Sequence, residues 1–202
     1  MKRKTLIWVT ALFFTCIAHA QTSKTTDAFT QSYKGESSKE YLAAIISIEN
    51  VYDANSYAMN LRLGWLHYLL KEYTKSQTYY NKAVTLEPKS IDARLGYINA
   101  TAALQNWDEV LKTYKDILVI DPNNTLVNYR VGYIYYYRKN FQEAEKYVLK
   151  VRELYPFDFD TNFLLGSINV GEGKIVEAKR FYQLAQMYNP DNTDVKDALS
   201  KL

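Results

Sequence analysis

Apolar and small residues recur along this chain with the spacing of one face of an α-helix. Tyr73, Ser76, Tyr80 and Ala83 stand at i, i+3, i+7 and i+10, which places them on one helical stripe. The stripe returns three more times, each copy shifted by 34 residues. The chain's only prolines follow the four stripes at the same interval: Pro88, Pro122, Pro156 and Pro190. Because proline lacks an N–H and restricts the residue before it, the pattern predicts four helices that end shortly before the prolines.

A further helix is predicted before each of these stripes. Gly64, Gly132 and Gly166 stand 24 residues before their prolines, whereas the second copy has Ile98 there and a glycine two residues earlier, Gly96. A glycine weakens the middle of a helix unless a neighbouring backbone must come close. The glycines therefore predict paired helices that pack tightly at these positions.

The repeated pattern resembles the tetratricopeptide repeat family, whose helix–turn–helix signature runs Leu-Gly, Tyr, Ala, Phe or Tyr, Ala and a closing Pro. The clearest copies begin at Leu63-Gly64 and at Leu165-Gly166, and the copy with Ile98 departs most from the signature. The resemblance implies an all-α fold, a right-handed α-solenoid. The repeats are placed at residues 57–90, 91–124, 125–158 and 159–192.

The segments that flank the repeats are expected to cap them. Residues 21–56 are interpreted as an N-terminal arm and a degenerate capping repeat, because residues 39–52 have near-helical apolar spacing. Residues 25–38 are expected to be either a short helix or a flexible arm, and Gly35 within them is expected to tolerate substitution. Residues 193–202 are predicted to form a C-terminal capping helix, with an N-cap in Asp191-Asn192-Thr193.

Residues 1–20 have the pattern of a secretory signal peptide. Lys2-Arg3-Lys4 forms a basic start, residues 6–18 form an apolar run, and Ala18-His19-Ala20 forms an A-x-A cleavage site. We expect cleavage after Ala20 and a mature protein that is exported, either periplasmic or secreted. The alternative of lipidation at Cys16 is disfavoured because the residues before it do not form a lipobox.

Removal of this segment changes the composition. The full chain has 25 Lys and Arg against 22 Asp and Glu, and three basic residues lie within residues 1–20. The predicted mature chain therefore has equal numbers of acidic and basic residues, which argues against a nucleic acid partner. The chain's single cysteine also lies in residues 1–20, so no disulfide or thiol chemistry is expected in the mature chain.

The inventory of reactive side chains gives no indication of an enzyme. His67 is the only histidine after residue 20, and a packed core role is favoured for it over a ligand role. Asp158 and Asp160 fall where a helix is predicted to start, which favours capping over catalysis. No metal site and no cofactor are expected.

Function is therefore expected to reside in a surface that binds another protein or a peptide segment. The resemblance implies a concave groove lined by the first helix of each repeat. The candidate ligand-binding residues on those helices are Arg62, Trp65, Tyr68, Asn99, Tyr129, Arg130, Tyr133, Tyr136, Tyr137 and Phe163. Aromatic side chains interspersed with arginine are typical of binding hot spots.

Two alternatives to peptide binding stay open. The tyrosines can simply pack on one another, since tyrosine buries a large area while its hydroxyl stays in water. The aromatic side chains can also stack on a glycan. The family's capture of acidic C-terminal tails is not expected here, because Leu61 and Trp65 replace the Lys and Asn which that capture requires.

Overall fold

The computed structural model describes residues 23–202, and within this range the chain is entirely α-helical, with eleven helices and no strand. The helices form two compact units, of which the first ends at Asn106 and the second spans Trp107–Leu202. The predicted signal peptide and its cleavage site lie outside the described residues. The prediction of an all-α repeat solenoid is confirmed.

The helix bounds follow the 34-residue period. The first unit contains α1 (residues 23–37), α2 (Tyr41–Glu49), α3 (Tyr57–Leu69), α4 (Tyr73–Leu86) and α5 (Ile91–Ala103). The second unit contains α6 (Trp107–Ile120), α7 (Thr125–Tyr137), α8 (Phe141–Leu154), α9 (Phe159–Gly171), α10 (Ile175–Tyr188) and α11 (Thr193–Ser200). The helix pairs α3–α4, α7–α8 and α9–α10 pack most extensively.

Five helices begin at capping side chains that lie 34 residues apart. Each side-chain oxygen accepts a hydrogen bond from the backbone N–H three residues later, which satisfies one of the free donors at the helix start. The capping residues are Ser56, Ser90, Asn124, Asp158 and Asn192. The prediction that Asp158 stands at a helix start is therefore confirmed.

The turn inside each helix pair has a residue in the left-handed region. Lys71, Gln105, Lys139 and Gly173 lie 34 residues apart and have φ angles of 61°, 61°, 56° and 75°. At each turn the residue after the left-handed one donates its backbone N–H to the carbonyl five residues before it, as Glu72 does to His67. This is the Schellman arrangement, which usually has glycine at the left-handed position. Three of these four turns, and the α1–α2 turn with Lys39 at a φ of 61°, place a long polar side chain there instead.

Glycines on the first helices lie where the paired helix comes closest, as predicted. A Cβ added to Gly132 would lie 2.4 Å from Val148 Cγ2 and 3.1 Å from the carbonyl oxygen of Ala144. At Gly166 the added atom would lie 2.5 Å from the ring of Tyr182. A side chain of any size at these positions would push the helices apart.

The repeat that lacks a glycine at Ile98 uses Gly96 in a different way. A Cβ added to Gly96 would lie 2.1 Å from the ring of Tyr80, and one added to Gly64 would lie 2.9 Å from the same ring. The Tyr80 side chain is thus held between α3 and α5. Gly96 is buried by this contact and offers no side chain to the surface.

The segment before the first repeat is ordered as a helix pair. Residues 23–37 are helical, which decides between the two predicted alternatives in favour of the helix. The expectation that Gly35 tolerates substitution assumed a loosely packed arm, whereas Gly35 is buried and a Cβ there would lie 3.1 Å from the Ala44 backbone nitrogen. The effect of substitution at Gly35 stays a prediction. Ala44 and Ile48 on α2 pack with Leu63 and Leu66 on α3 in the core of the first unit.

Buried asparagines hold the loop before three of the first helices. The side-chain amide of Asn128 donates to the carbonyls of Pro122 and Asn124 at 3.0 and 2.9 Å. Asn60 and Asn162 make the same two bonds to their own preceding loops. These bonds fix where the chain enters α3, α7 and α9, and therefore which side chains those helices expose.

Candidate functional site

An open cavity of about 900 Å³ lies in the first unit, on the face formed by α1, α3 and α5. Its lining combines apolar and aromatic side chains with a few polar groups. The residues that line it include Phe29, Tyr33, Glu36, Tyr57, Leu61, Arg62, Trp65, Leu69, Leu95 and Asn99. We call this cavity the first-unit groove. The candidate residues Arg62, Trp65 and Asn99 are brought together in it, as the repeat positions predict.

Arg62 is a buried side chain of the groove wall, with 6% of its surface exposed. Its Nε donates to Ser32 Oγ at 2.9 Å, and its Nη1 donates to a carboxylate oxygen of Glu36, with which it forms an ion pair. The guanidinium lies over the Tyr33 ring, 4.0 Å from the centroid. Ser32, Tyr33 and Glu36 all belong to α1, so Arg62 ties α1 to α3. The charge of Arg62 is therefore paired with Glu36, although its Nη2 is buried without a hydrogen-bond partner among the described residues.

Trp65 is the most exposed candidate residue on α3. It stacks on Tyr68 with a centroid distance of 5.7 Å and an interplanar angle of 20°. The indole Nε1 donates to Glu36 Oε1 at 2.7 Å. Tyr68 in turn contacts Tyr73 at the start of α4. Trp65 thus keeps 36% of its surface exposed while its orientation is fixed by stacking and by one hydrogen bond.

The α5 side of the groove has no aromatic side chain. Asn99 is exposed, Leu95 is half-buried, and Gly96 contributes only backbone. Asp92, in the first turn of α5, lies at the rim. This side therefore leaves space opposite Trp65.

The second unit carries a ladder of tyrosines on α7. Tyr129 and Tyr133 stack at 6.2 Å, Tyr133 and Tyr137 lie 4.7 Å apart, and Tyr133 Oη donates to Tyr137 Oη at 3.0 Å. Exposure increases along the ladder: Tyr129 is half-buried, Tyr133 is 37% exposed and Tyr137 is 66% exposed. Burial raises the pKa of Tyr129 to about 12, and the hydrogen bond to Tyr137 raises the pKa of Tyr133. Tyr129 and Tyr133 are therefore protonated at neutral pH.

The exposed end of this ladder lines a second cavity, of about 420 Å³, with Trp107, Ile134 and Arg138. Half of the Trp107 surface is exposed. At the edge of the cavity Arg138 donates to Asp108 at 2.8 Å. Trp107 was not among the predicted site residues, because its position in the 34-residue period corresponds to Tyr73, at the start of the second helix of a pair.

Two of the candidate residues pack mainly inward. Tyr136 packs against the buried cluster of α8, α9 and α10 and contacts Phe141 at a centroid distance of 6.0 Å. Phe163 packs in the C-terminal cluster between Phe159 at 5.9 Å and Tyr182 at 5.4 Å. The packing alternative thus describes these two side chains better than the binding role does.

Arg130 has a different environment from that of Arg62. It is exposed and lines a shallow cavity of about 360 Å³ with Tyr129, Asp158 and Asp160. Asp158 is already used as the cap of α9, so Arg130 and Asp160 supply the exposed charges of this surface.

His67 is buried in the core of the first unit, as expected. Its ring stacks on Tyr79 at 5.2 Å with an interplanar angle of 5°, and Nδ1 lies 2.6 Å from Glu72 Oε2. Hydrogen bonds from Lys75 and then from His67 hold the pKa of Glu72 below its ordinary value. Within residues 23–202 no three His, Cys, Asp or Glu side chains converge as a metal site would require. No helix of that same range has the length and apolar character needed to cross a membrane.

The residue that sequence reasoning missed in the first-unit groove is Glu36. It falls in the polar stretch before the repeats, where no periodic signal assigns a face to it. The one sequence feature that could have indicated Glu36 is Arg62, because a buried arginine needs a carboxylate or another hydrogen-bond acceptor nearby.

Comparison with known proteins supports this description of the fold. The family model of the tetratricopeptide repeat matches residues 57–90. Anaphase-promoting complex subunit 6 of Arabidopsis thaliana is 25% identical over 125 residues, which are 61% of this chain and 22% of that protein. The chain thus spans about a fifth of this relative.

Solved structures with the same fold match most of the chain. A tetratricopeptide repeat protein from Parabacteroides merdae superposes with a TM-score of 0.77 and 16% identity, over 89% of this chain and 72% of that protein. The MamA protein superposes with a TM-score of 0.73 and 16% identity, over 86% of this chain and 96% of MamA. With the matched repeat at residues 57–90, these similarities show that the chain contains a tetratricopeptide repeat and shares its fold with solved tetratricopeptide repeat structures.

Proposed function

We propose that this protein is an exported, non-enzymatic scaffold that binds a segment of another protein in the first-unit groove. The tetratricopeptide fold is consistent with protein–protein interaction. The observation that carries the proposal is the groove itself, an open cavity of about 900 Å³ whose lining combines apolar and aromatic side chains with a few polar groups, and in which Trp65 and Asn99 are exposed. A cavity of this size accommodates several side chains of a bound peptide.

Export is proposed from the sequence of residues 1–20. Mass spectrometry of the protein recovered from the extracytoplasmic fraction tests it, with a mature N terminus at Gln21 as the expected result. An intact Met1, or an acyl group on Cys16, would contradict the proposal.

Crosslinking in the native compartment tests the groove. A photoreactive amino acid at position 99 would be exposed in the groove, whereas one at Asn81 on α4 would be exposed at a position that does not line the groove. We expect a partner protein to be captured from position 99 and not from position 81. Equal capture from both positions would argue against groove binding.

Glycan binding is the second candidate, and the cavity of the second unit favours it. Trp107 and Tyr137 are exposed aromatic side chains in one largely apolar recess, as a sugar-stacking surface requires. A glycan array with the wild-type protein and a Trp107→Ala variant tests this. Binding that is lost in the variant would favour the glycan function, and absence of binding would remove it.

A further inference from the structure

One carboxylate on α1 holds two side chains of the first-unit groove. Oε1 of Glu36 accepts from Trp65 Nε1 at 2.7 Å, and Oε2 accepts from Arg62 Nη1. Arg62 and Trp65 are consecutive members of the α3 face that lines the groove. Glu36 therefore fixes the orientation of Trp65, and it also neutralises the positive charge of Arg62 in the groove wall.

The ion pair between Arg62 and Glu36 is largely removed from solvent. Side-chain exposure is 5% for Arg62 and 27% for Glu36. Burial of the Glu36 carboxyl raises its pKa, but hydrogen bonds from Trp65 and Arg62 outweigh this and hold the pKa below its ordinary value. Glu36 is therefore ionised at neutral pH, and it neutralises the only arginine among the described residues that line the groove.

The remaining charges around the groove also balance. Lys39 and Asp92 lie at its rim, both exposed and opposite in sign, and the other described residues of the lining are uncharged. Exposed charges are screened by solvent and salt, so they attract ligands only weakly. The floor, with Leu61, Leu69 and Leu95, is apolar.

We infer that Glu36 sets the specificity of this groove: by neutralising Arg62 it makes the groove select uncharged, apolar segments and reject acidic ones. The inference rests on the proposed function. An acidic side chain that entered the groove would lose its hydration and approach the Glu36 carboxylate, while the buried cation of the lining, Arg62, already has Glu36 as its counter-charge. An apolar side chain would instead gain contact with Trp65 and with the leucines of the floor.

The test uses the full-length chain and short labelled peptides of Leu, Phe and Ser, acetylated and amidated at their ends. Matched acidic peptides have Glu in place of Ser and a free C-terminal carboxylate. Binding is measured by fluorescence anisotropy. We expect the wild type to prefer the neutral peptides by about tenfold or more, since burial of an unpaired charge is strongly disfavoured.

Glu36→Gln should abolish this preference, because it leaves the buried guanidinium of Arg62 without a counter-charge. The acidic peptides should then gain about tenfold in affinity relative to the wild type. The double variant Glu36→Gln, Arg62→Met is the matched control. It removes both charges, so the gain for acidic peptides should disappear, whereas a merely structural role of Glu36 would not produce this dependence on Arg62.

The reverse design covers the case in which Glu36→Gln is not stably folded. Arg62→Met leaves the Glu36 carboxylate unpaired and should shift the preference toward peptides that carry Lys. Wild-type protein that binds acidic and neutral peptides equally would overturn the specificity inference and leave the proposed function intact. If no peptide binds any variant and position 99 captures no partner, the inference and the proposed function both fail.

Discussion

Arg62 on α3 and Arg130 on α7 occupy the same place in two repeats, 26 residues before Pro88 and Pro156, yet their surroundings differ. Arg62 is enclosed by Ser32, Tyr33 and Glu36 of α1, whereas Arg130 is exposed. The repeat position determines on which face of its helix a side chain stands. What packs against that face depends on a neighbouring element outside the repeat, here α1, and this decides whether the side chain is structural or available.

The largest expected difference between the two arginines is in stability. Arg62→Ala should lower the free energy of unfolding by about 2–3 kcal/mol, because it leaves the Glu36 carboxylate unpaired and removes the link between α1 and α3. Arg130→Ala should change it by less than about 0.5 kcal/mol, as is usual for exposed side chains. Chemical denaturation of the two variants measures this. Equal losses would mean that the buried ion pair does not hold α1 in place.

Glycine substitutions test the helix contacts in each unit. Gly132→Ala should cost about 1–2 kcal/mol, because the new Cβ would lie 2.4 Å from Val148 Cγ2. Gly35→Ala should cost less, between zero and about 1 kcal/mol, since the nearest contact is 3.1 Å and alanine favours a helix over glycine. The melting temperatures of the two variants show which substitution destabilises the protein more. A larger loss at Gly35 would contradict the contact distances.

Acid should weaken the first unit through Glu36. Its pKa is held below the ordinary value of 4.5, so its contribution to stability is present above that pH and is lost as pH falls through the lower, folded pKa. The difference in unfolding free energy between the wild type and Glu36→Gln should therefore be constant above about pH 5 and shrink below pH 4.5. A difference that stays constant to lower pH would show that the carboxylate charge makes no contribution.

The left-handed turn residues offer a smaller pair of effects with opposite signs. Lys139→Gly should raise the free energy of unfolding by about 0.5–1 kcal/mol, since glycine adopts a φ of 56° without the steric penalty of a Cβ. Gly173→Ala, at a φ of 75° with no atom near the added Cβ, should lower it by about 1 kcal/mol. Denaturant midpoints of the two variants check both signs. If neither variant changes the free energy of unfolding, the left-handed backbone conformation carries no steric penalty at these turns.

The sequence predicts the repeat architecture well because its signals are local and repeated. Proline positions, inward glycines and the helical stripes each report on a contact within one helix pair, such as Gly132 against Val148. The site is predicted less completely because exposure depends on contacts between elements far apart in sequence. Arg62 and Glu36 are 26 residues apart, and no period relates α1 to α3.

The tyrosine ladder of α7 gives the smallest effect on stability and the most direct test of binding. Tyr133 and Tyr137 are exposed and bond mainly to each other, so Tyr133→Ala with Tyr137→Ala should cost no more than about 0.5 kcal/mol for each residue. Phe163→Ala is the matched control from the inward-packing set and should cost about 3 kcal/mol. If the ladder contacts a partner, the double variant should lose about tenfold or more in affinity while its melting curve stays close to wild type. A large loss of stability in the double variant would assign these tyrosines to packing and remove the second unit from the binding surface.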